Sequence, residues 1–128
     1  MAHGDITHVD IPVSDMERAK SFYGALFGWR FNELPGFEGY PMWQAPNQIS
    51  GGGLAPRGEG FTQPRSYVEV DSIDDVLAKA RANGGTVVME KQVIDATSWW
   101  AILTDPDGNT VGLFEGQTGA ADESDSES

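Results

Sequence analysis

The sequence predicts an α+β fold in which two tandem βαβββ units form one domain, over about residues 1–118. Residues 8–31 and 65–88 share one order of strand and helix patterns, and three pairs of residues recur 57 positions apart. These pairs are Val13 and Val70, Gly28 and Gly85, and Trp43 and Trp100. A repeat of this kind indicates a duplicated unit. We therefore expect a first unit at about residues 5–57 and a second at about residues 64–116.

Alternation and capping signals define the first unit. Apolar and polar residues alternate over Ile6–Val13, as they do in a half-buried strand. Ser14 and Glu17 form a capping-box pattern before apolar residues at helical spacing, and Gly28 ends the predicted helix. Three short strands are predicted after it, at Trp29–Glu33, Tyr40–Ala45 and Gly51–Ala55.

The second unit repeats this order with different residues. Residues 65–70 alternate, Ser72 and Asp75 open a helix, and Gly84-Gly85 ends it. Strands are predicted near Thr86–Glu90, Trp99–Thr104 and Thr110–Glu115. The segment Asp105-Pro106-Asp107-Gly108 joins the last two as a turn, because proline fixes φ early and glycine accepts a positive φ late.

Composition restricts the classes of partner. The chain of 128 residues has 8 basic and 20 acidic residues, a net charge of −12, which opposes binding to nucleic acid or to an anionic membrane. Cysteine is absent, which excludes disulfides, thiolate metal sites and a cysteine nucleophile. No leader pattern or long apolar run occurs, so we expect a cytoplasmic protein. Residues 119–128 are acidic and are expected to form a disordered tail.

Several motifs in order resemble those of the vicinal oxygen chelate superfamily. They are His8-x-x-Ile11-Pro12-Val13-x-Asp15 in the opening strand, Phe22-Tyr23-x-x-Leu26-x-Gly28-Trp29 in the first helix, Gly84-Gly85 after the second, and Asp105-Pro106-Asp107-Gly108-Asn109 before the final strand. This superfamily includes the glyoxalases, the bleomycin- and fosfomycin-resistance proteins and the extradiol dioxygenases. The resemblance covers roughly residues 5–116.

The resemblance implies a glyoxalase-like architecture. It implies a mixed sheet curled into a cup, with helices outside and a ligand cavity inside. In small members of the superfamily, two chains often share their cavities, so we expect a homodimer whose contact is self-complementary.

The resemblance also identifies four positions where metal-dependent members hold a divalent ion. They correspond to His8 and Arg65 on the opening strands and to Gly53 and Gly112 on the closing strands. Arg65 is a permanent cation, and neither glycine has a donor side chain. A lone histidine does not retain a divalent ion, since catalytic sites use about three protein ligands. We therefore expect no metal and no other cofactor.

The remaining cavity positions predict an aromatic binding pocket. The family pattern directs one strand face of each unit into the cavity, and flat rings there would stack on a planar ligand. The expected lining adds Asp10, Trp43, Tyr67, Glu69, Trp100, Ile102 and Phe114 to the four positions above. Each has a structural alternative: core packing for the tryptophans, a surface ion pair for Arg65, and a hydrogen-bonded strand residue for His8. For Trp99, on the opposite strand face, core packing is the preferred interpretation.

Two functions follow from this lining. The first is a metal-free protein of the bleomycin-resistance kind, which binds a small aromatic or amphipathic molecule. The second is a lyase or isomerase of the glyoxalase type, which uses an unusual metal site or uses His8 and Glu69 as acid–base groups. A structural or regulatory dimer is a third interpretation, if its own side chains fill the cup.

Overall fold

The computed structural model describes residues 2–116, so the expected tail at residues 119–128 lies outside the described residues. The described helices are α1 (Met16–Phe27) and α2 (Ile73–Ala82). The strands are β1 (Ile6–Val13), β2 (Arg30–Asn32), β3 (Met42–Gln44), β4 (Gly51–Pro56), β5 (Arg65–Glu69), β6 (Thr86–Asp95), β7 (Ser98–Thr104) and β8 (Thr110–Gly116). Each predicted strand and helix is present. None of the described helices is long and apolar enough to cross a membrane.

The chain divides into two compact units. We call Thr7–Arg65 module 1, and Met1–Ile6 with Ser66–Ser128 module 2. Each module has one helix and a sheet that combines one parallel strand pair with antiparallel pairs. The α+β class and the βαβββ order are therefore confirmed.

The sheet of module 1 has the strand order β2-β3-β4-β1. β1 and β4 are parallel, whereas β3 is antiparallel to both of its neighbours. The core lies on one sheet face and has Val13, Trp43 and Leu54 at its centre, with Met16 and Ala19 of α1 packed against it.

The sheet of module 2 has the order β5-β8-β7-β6, with β5 and β8 parallel. Its core again lies on one face, where α2 contributes Ile73 and Leu77, both almost completely buried. The strands contribute Ala101, Leu103 and Leu113, and Val70 directly follows β5. The odd-numbered and even-numbered positions of β7 therefore face opposite sides of the sheet.

Helix α1 begins one residue later than the capping-box pattern indicates. Asp15, not Ser14, is the N-cap, and its carboxylate accepts a hydrogen bond from the backbone N–H of Arg18 at 3.0 Å. An N-cap side chain bonds the backbone two or three residues ahead, and from Asp15 that residue is Arg18. The expected end of the helix is confirmed, because Gly28 adopts a left-handed conformation with φ of 72°.

The apolar stripe of α1 is only partly used for packing. The side chain of Tyr23 stacks on Trp29, with ring centroids 5.0 Å apart. Phe22, Leu26 and Phe27 are each more than half exposed. Module 1 therefore presents apolar side chains to its surroundings along this helix.

The turn signals of module 2 are confirmed. Ser72 caps α2 by accepting a hydrogen bond from the backbone N–H of Asp75. In the turn between β7 and β8, Gly108 has φ of 87°. Hydrogen bonds from the side chain and backbone of Asn109 to the Asp105 carboxylate hold the pKa of Asp105 below its usual value.

Replacing Asp15 with alanine is expected to lower the free energy of unfolding by about 1 kcal/mol, because the N-cap of α1 is lost. Urea unfolding followed by circular dichroism measures this change. The matched control is Ser14→Ala, which is expected to change stability by less than about 0.5 kcal/mol, as at other surface positions. A larger loss with Ser14→Ala than with Asp15→Ala would contradict this assignment of the cap.

Candidate functional site

In module 1, three of the expected site residues, His8, Asp10 and Gly53, lie on the sheet face opposite the core. Val9, Ile11 and Val13 point into the core, so the alternate positions His8 and Asp10 point away from it. The strand register places further residues on this face. Asp10 pairs with Gly53, and Gly53 pairs with Met42 on β3, so these three residues lie side by side on the face opposite the core.

His8, Asp10 and Tyr40 form a hydrogen-bonded cluster on this face. The Nε2 atom of His8 lies 2.7 Å from Oδ1 of Asp10 and 2.6 Å from the hydroxyl oxygen of Tyr40. The Tyr40 hydroxyl donates to the same Asp10 oxygen. The His8 and Asp10 side chains are 24% and 12% exposed, so the cluster is shielded but reachable. Such a set of groups can orient a polar ligand or transfer a proton.

Tyr40 was not among the site residues that the sequence predicts. It stands at the start of the predicted strand Tyr40–Ala45, whereas β3 begins two residues later. The side chain of a residue outside a strand does not follow the alternation of that strand, so no periodic signal indicates its direction.

The ring of Tyr40 lies on the backbone of Gly53. A Cβ atom at Gly53 would collide with the Tyr40 ring, so a larger residue there would require the ring to move. Gly53 is needed for this close approach rather than for a left-handed conformation.

The expected place of Trp43 in the ligand cavity is wrong. Trp43 lies in the core of module 1, stacked on Trp29 with ring centroids 3.7 Å apart and planes 8° apart. Its indole N–H donates to the backbone oxygen of Val9 at 3.2 Å, and the residue is only 7% exposed.

The error came from treating the offset of the repeat as constant. Asp10 pairs with Gly53 as Tyr67 pairs with Gly112, and the two opening-strand residues, Asp10 and Tyr67, are 57 residues apart. On the antiparallel side, Met42 pairs with Gly53 as Ile102 pairs with Gly112, a separation of 60 residues. Because the two offsets differ by an odd number, residues 57 apart in these strands face opposite sides of the sheet.

In module 2, six expected lining residues share the face opposite the core. Tyr67 and Ile102 both pair with Gly112, and Glu69 and Trp100 both pair with Phe114. The rings of Tyr67 and Trp100 lie 6.3 Å apart between centroids. The preferred interpretation of Trp99 is confirmed, because it packs against the core on the other face.

Tyr67 fills the space over Gly112. A Cβ atom at Gly112 would collide with the Tyr67 ring, as one at Gly53 would with Tyr40. The two closing-strand positions at which the resemblance implies metal ligands are thus covered by tyrosine rings.

Glu69 is a buried carboxyl group. The residue is 7% exposed, and burial raises its pKa above the usual value of 4.5, since the charged form loses hydration. The carboxylates of Asp5 and Asp71 raise this pKa further. A carboxyl group of this kind can donate or accept a proton at a higher pH than an exposed one.

Arg65 begins β5 and contacts the preceding loop. Its guanidinium lies over the Phe61 ring, 4.8 Å from the centroid, and donates a hydrogen bond to the backbone oxygen of Gly60 at 3.3 Å. These contacts hold the guanidinium group in place, and its position in the lining of a ligand pocket stays a prediction.

The donor set does not fit a divalent metal ion. Within residues 2–116, no three His, Cys, Asp or Glu side chains are grouped so that they could hold one. Of the four implied ligand positions, Arg65 is a cation, and Gly53 and Gly112 lie under tyrosine rings. Only His8 is a metal-binding residue type, and its Nε2 atom is engaged by Asp10 and Tyr40.

Comparison with known proteins places these features in a family context. The model described as "Bleomycin resistance protein-like N-terminal" matches residues 5–46. A glyoxylase-like domain-containing protein of Didymella fabae is 30% identical, over 84% of this chain and 91% of that protein. A Mycobacterium tuberculosis protein that is provisionally named a glyoxylase is 32% identical over 84% of this chain. This chain spans 44% of the length of that protein. The crystal structure of methylmalonyl-CoA epimerase from Mycobacterium tuberculosis has the same fold, with a TM-score of 0.66, 22% identity and 92% of each chain covered.

The raised pKa of Glu69 predicts a pH-dependent stability. A carboxyl group whose pKa is higher in the folded chain stabilises the fold when protonated. That contribution is present below the unfolded pKa, near 4.5, and is lost as the pH rises through the folded pKa. Glu69→Gln resembles the protonated form, so its melting temperature should exceed that of the native chain at pH 7, and the difference should shrink toward pH 4.

Calorimetry between pH 4 and pH 8 measures this difference. The matched control is Glu59→Gln at an exposed position, for which we expect no comparable trend with pH. A Glu69→Gln variant that is less stable than the native chain at pH 7 would be the contrary result.

Proposed function

Because the chain belongs to the glyoxalase, bleomycin-resistance and dioxygenase superfamily, we propose that it is a metal-free protein that binds a small aromatic or amphipathic molecule. The observation that carries this proposal is the tyrosine ring over each of Gly53 and Gly112. At the two positions where the resemblance implies metal ligands, the chain offers aromatic surface instead.

Module 2 supplies the apolar surface for such a ligand. Tyr67, Trp100, Ile102 and Phe114 share one sheet face, and Trp100 and Phe114 are only partly buried. Burying an aromatic side chain against a ligand contributes about 1.5–3 kcal/mol in apolar area alone. Ring stacking contributes about a further 0.5–1.5 kcal/mol.

Module 1, taken by itself, carries polar groups that can bond to a polar ligand. His8, Asp10 and Tyr40 hold one another by hydrogen bonds, so little side-chain freedom is lost when a ligand bonds to them. With a net charge of −12, the protein attracts cations and repels anions at long range. A neutral or cationic ligand therefore fits this site best, as a basic antibiotic would.

A homodimer is part of the proposal. The half-exposed side chains of Leu26 and Phe27 on α1 support an association surface, since contiguous apolar side chains on a surface are typical of interfaces. The cytoplasmic location stays a prediction.

The alternative is an acid–base lyase or isomerase. Two observations favour it: the cluster of His8, Asp10 and Tyr40, and the raised pKa of Glu69. Because an epimerase has the same fold, the first reaction to test is the removal of a proton from a carbon next to a carbonyl group. Tyr40 or Glu69 would move the proton, and His8 and Asp10 would orient the Tyr40 hydroxyl.

The binding proposal predicts that planar aromatic compounds raise the melting temperature. A ligand at about 100 times its Kd adds about 2.7 kcal/mol of stability. Trp100→Ala should weaken binding of the best compound at least tenfold, which is about 1.4 kcal/mol. Calorimetric titration measures both affinities.

The matched control for Trp100→Ala is Val93→Ala on the neighbouring strand β6, where the side chain is 71% exposed. Its affinity should stay within twofold of the native value. Equal affinities for the native chain and for Trp100→Ala would contradict the proposed ring contact.

The enzyme alternative predicts that the protein exchanges a carbon-bound proton with solvent. Incubating methylmalonyl-CoA in D2O, with and without Zn²⁺, Ni²⁺ or Mn²⁺, and following the signal by NMR measures this exchange. The binding proposal predicts no exchange above the buffer rate under any of these conditions. Metal-independent exchange that Tyr40→Phe abolishes would favour the acid–base enzyme, and metal-dependent exchange that His8→Ala abolishes would contradict the metal-free assignment.

A further inference from the structure

Module 1 has a concave surface that shares no residue with the candidate site. This groove lies where the end of β1, the start of α1 and the residue after β4 meet, and it has a volume of about 290 Å³. The backbone N–H of Arg57 donates to the backbone oxygen of Val13 at 2.8 Å, which fixes the position of Arg57 beside β1. The groove is therefore built on regular elements and not on a long loop.

Two arginines line this groove. Arg18 lies in the first turns of α1, and Arg57 follows β4. Within residues 2–116, no carboxylate oxygen lies within 4 Å of either guanidinium. The side chain of Arg57 donates to the backbone oxygen of Thr62 at 2.9 Å, and this bond leaves other N–H groups of the guanidinium for a ligand.

The local charge of the groove differs from that of the whole protein, which has 20 acidic and 8 basic residues. The groove contains one acidic side chain, Asp15, whose carboxylate caps α1 by accepting the backbone N–H of Arg18. Two guanidinium groups and one carboxylate give the groove a positive local charge.

An apolar wall lies beside the arginines. Phe22 is one helical turn after Arg18 and therefore on the same face of α1, and its side chain is 53% exposed. The volume of the groove is at the lower end of the range for small-molecule sites, which run from about 300 to 1,000 Å³. It suits a ligand of about one ring with one charged group.

We propose that this groove binds a small organic anion, a phosphate or carboxylate attached to a flat apolar group. Arg18 and Arg57 bind the anion through charge-assisted hydrogen bonds, which guanidinium groups form in a planar, paired geometry. Phe22 contacts the apolar group. The proposal concerns a different ligand class from the neutral or cationic molecule of the candidate site.

The test uses phenyl phosphate as the probe and the full-length, ¹⁵N-labelled protein. Titration followed by amide NMR is expected to shift the signals of residues 13–15, 22–23 and 57, and inorganic phosphate is expected to bind at least fivefold more weakly. Benzyl alcohol, which has the ring but no charge, should leave these signals unchanged. Arg18→Gln and Arg57→Gln should each weaken the binding of phenyl phosphate at least tenfold. Arg57→Lys should weaken this binding less than Arg57→Gln does.

The controls separate this site from general charge effects and from the candidate site. Arg30→Gln removes the same charge from an exposed position on β2 outside the groove, and its affinity should stay within twofold. Trp100→Ala should also leave groove binding unchanged, so failure of one proposal is distinguishable from failure of the other. Absence of these shifts, equal shifts with benzyl alcohol, or equal weakening by Arg30→Gln and Arg18→Gln would overturn the proposal.

Discussion

The packing of a tyrosine ring directly on a glycine is the contact on which the candidate site depends. Tyr40 lies on Gly53 in module 1, and Tyr67 lies on Gly112 in module 2. Neither approach is possible with a Cβ atom on the glycine, so the ring and the glycine require each other. In module 1 the same contact holds the Tyr40 hydroxyl beside Asp10 and His8, so the steric constraint also positions the polar cluster.

Two carboxyl groups that are buried within residues 2–116, Asp10 and Glu69, are accommodated in different ways. Asp10 accepts a hydrogen bond from the Tyr40 hydroxyl and contacts His8, and these partners offset the hydration that its oxygen loses on burial. Burial instead raises the pKa of Glu69, which favours its neutral form. The same sheet architecture therefore holds Asp10 of module 1 in hydrogen bonds and raises the pKa of Glu69 in module 2.

The sequence predicted the elements well, because their signals are local. Strand alternation, Gly28 after α1 and the turn at Gly108 each depend on a few neighbouring residues. The face of Trp43 depends on how many residues separate β2 from β3, and an odd change in the repeat offset reversed it. Tyr40 could not be predicted at all, since it contacts residues 30 and 32 positions away from outside a strand.

The tyrosine over each glycine is not a copy of one position in the repeat. By strand register, the residue of module 1 that corresponds to Tyr67 is Asp10, which is too small to cover Gly53. The ring there comes instead from Tyr40, before β3. Two different positions thus supply the same ring at the same place in the sheet. In each module the space over the glycine is therefore filled by a flat side chain, and an aromatic ring on this sheet face follows from the packing of each module.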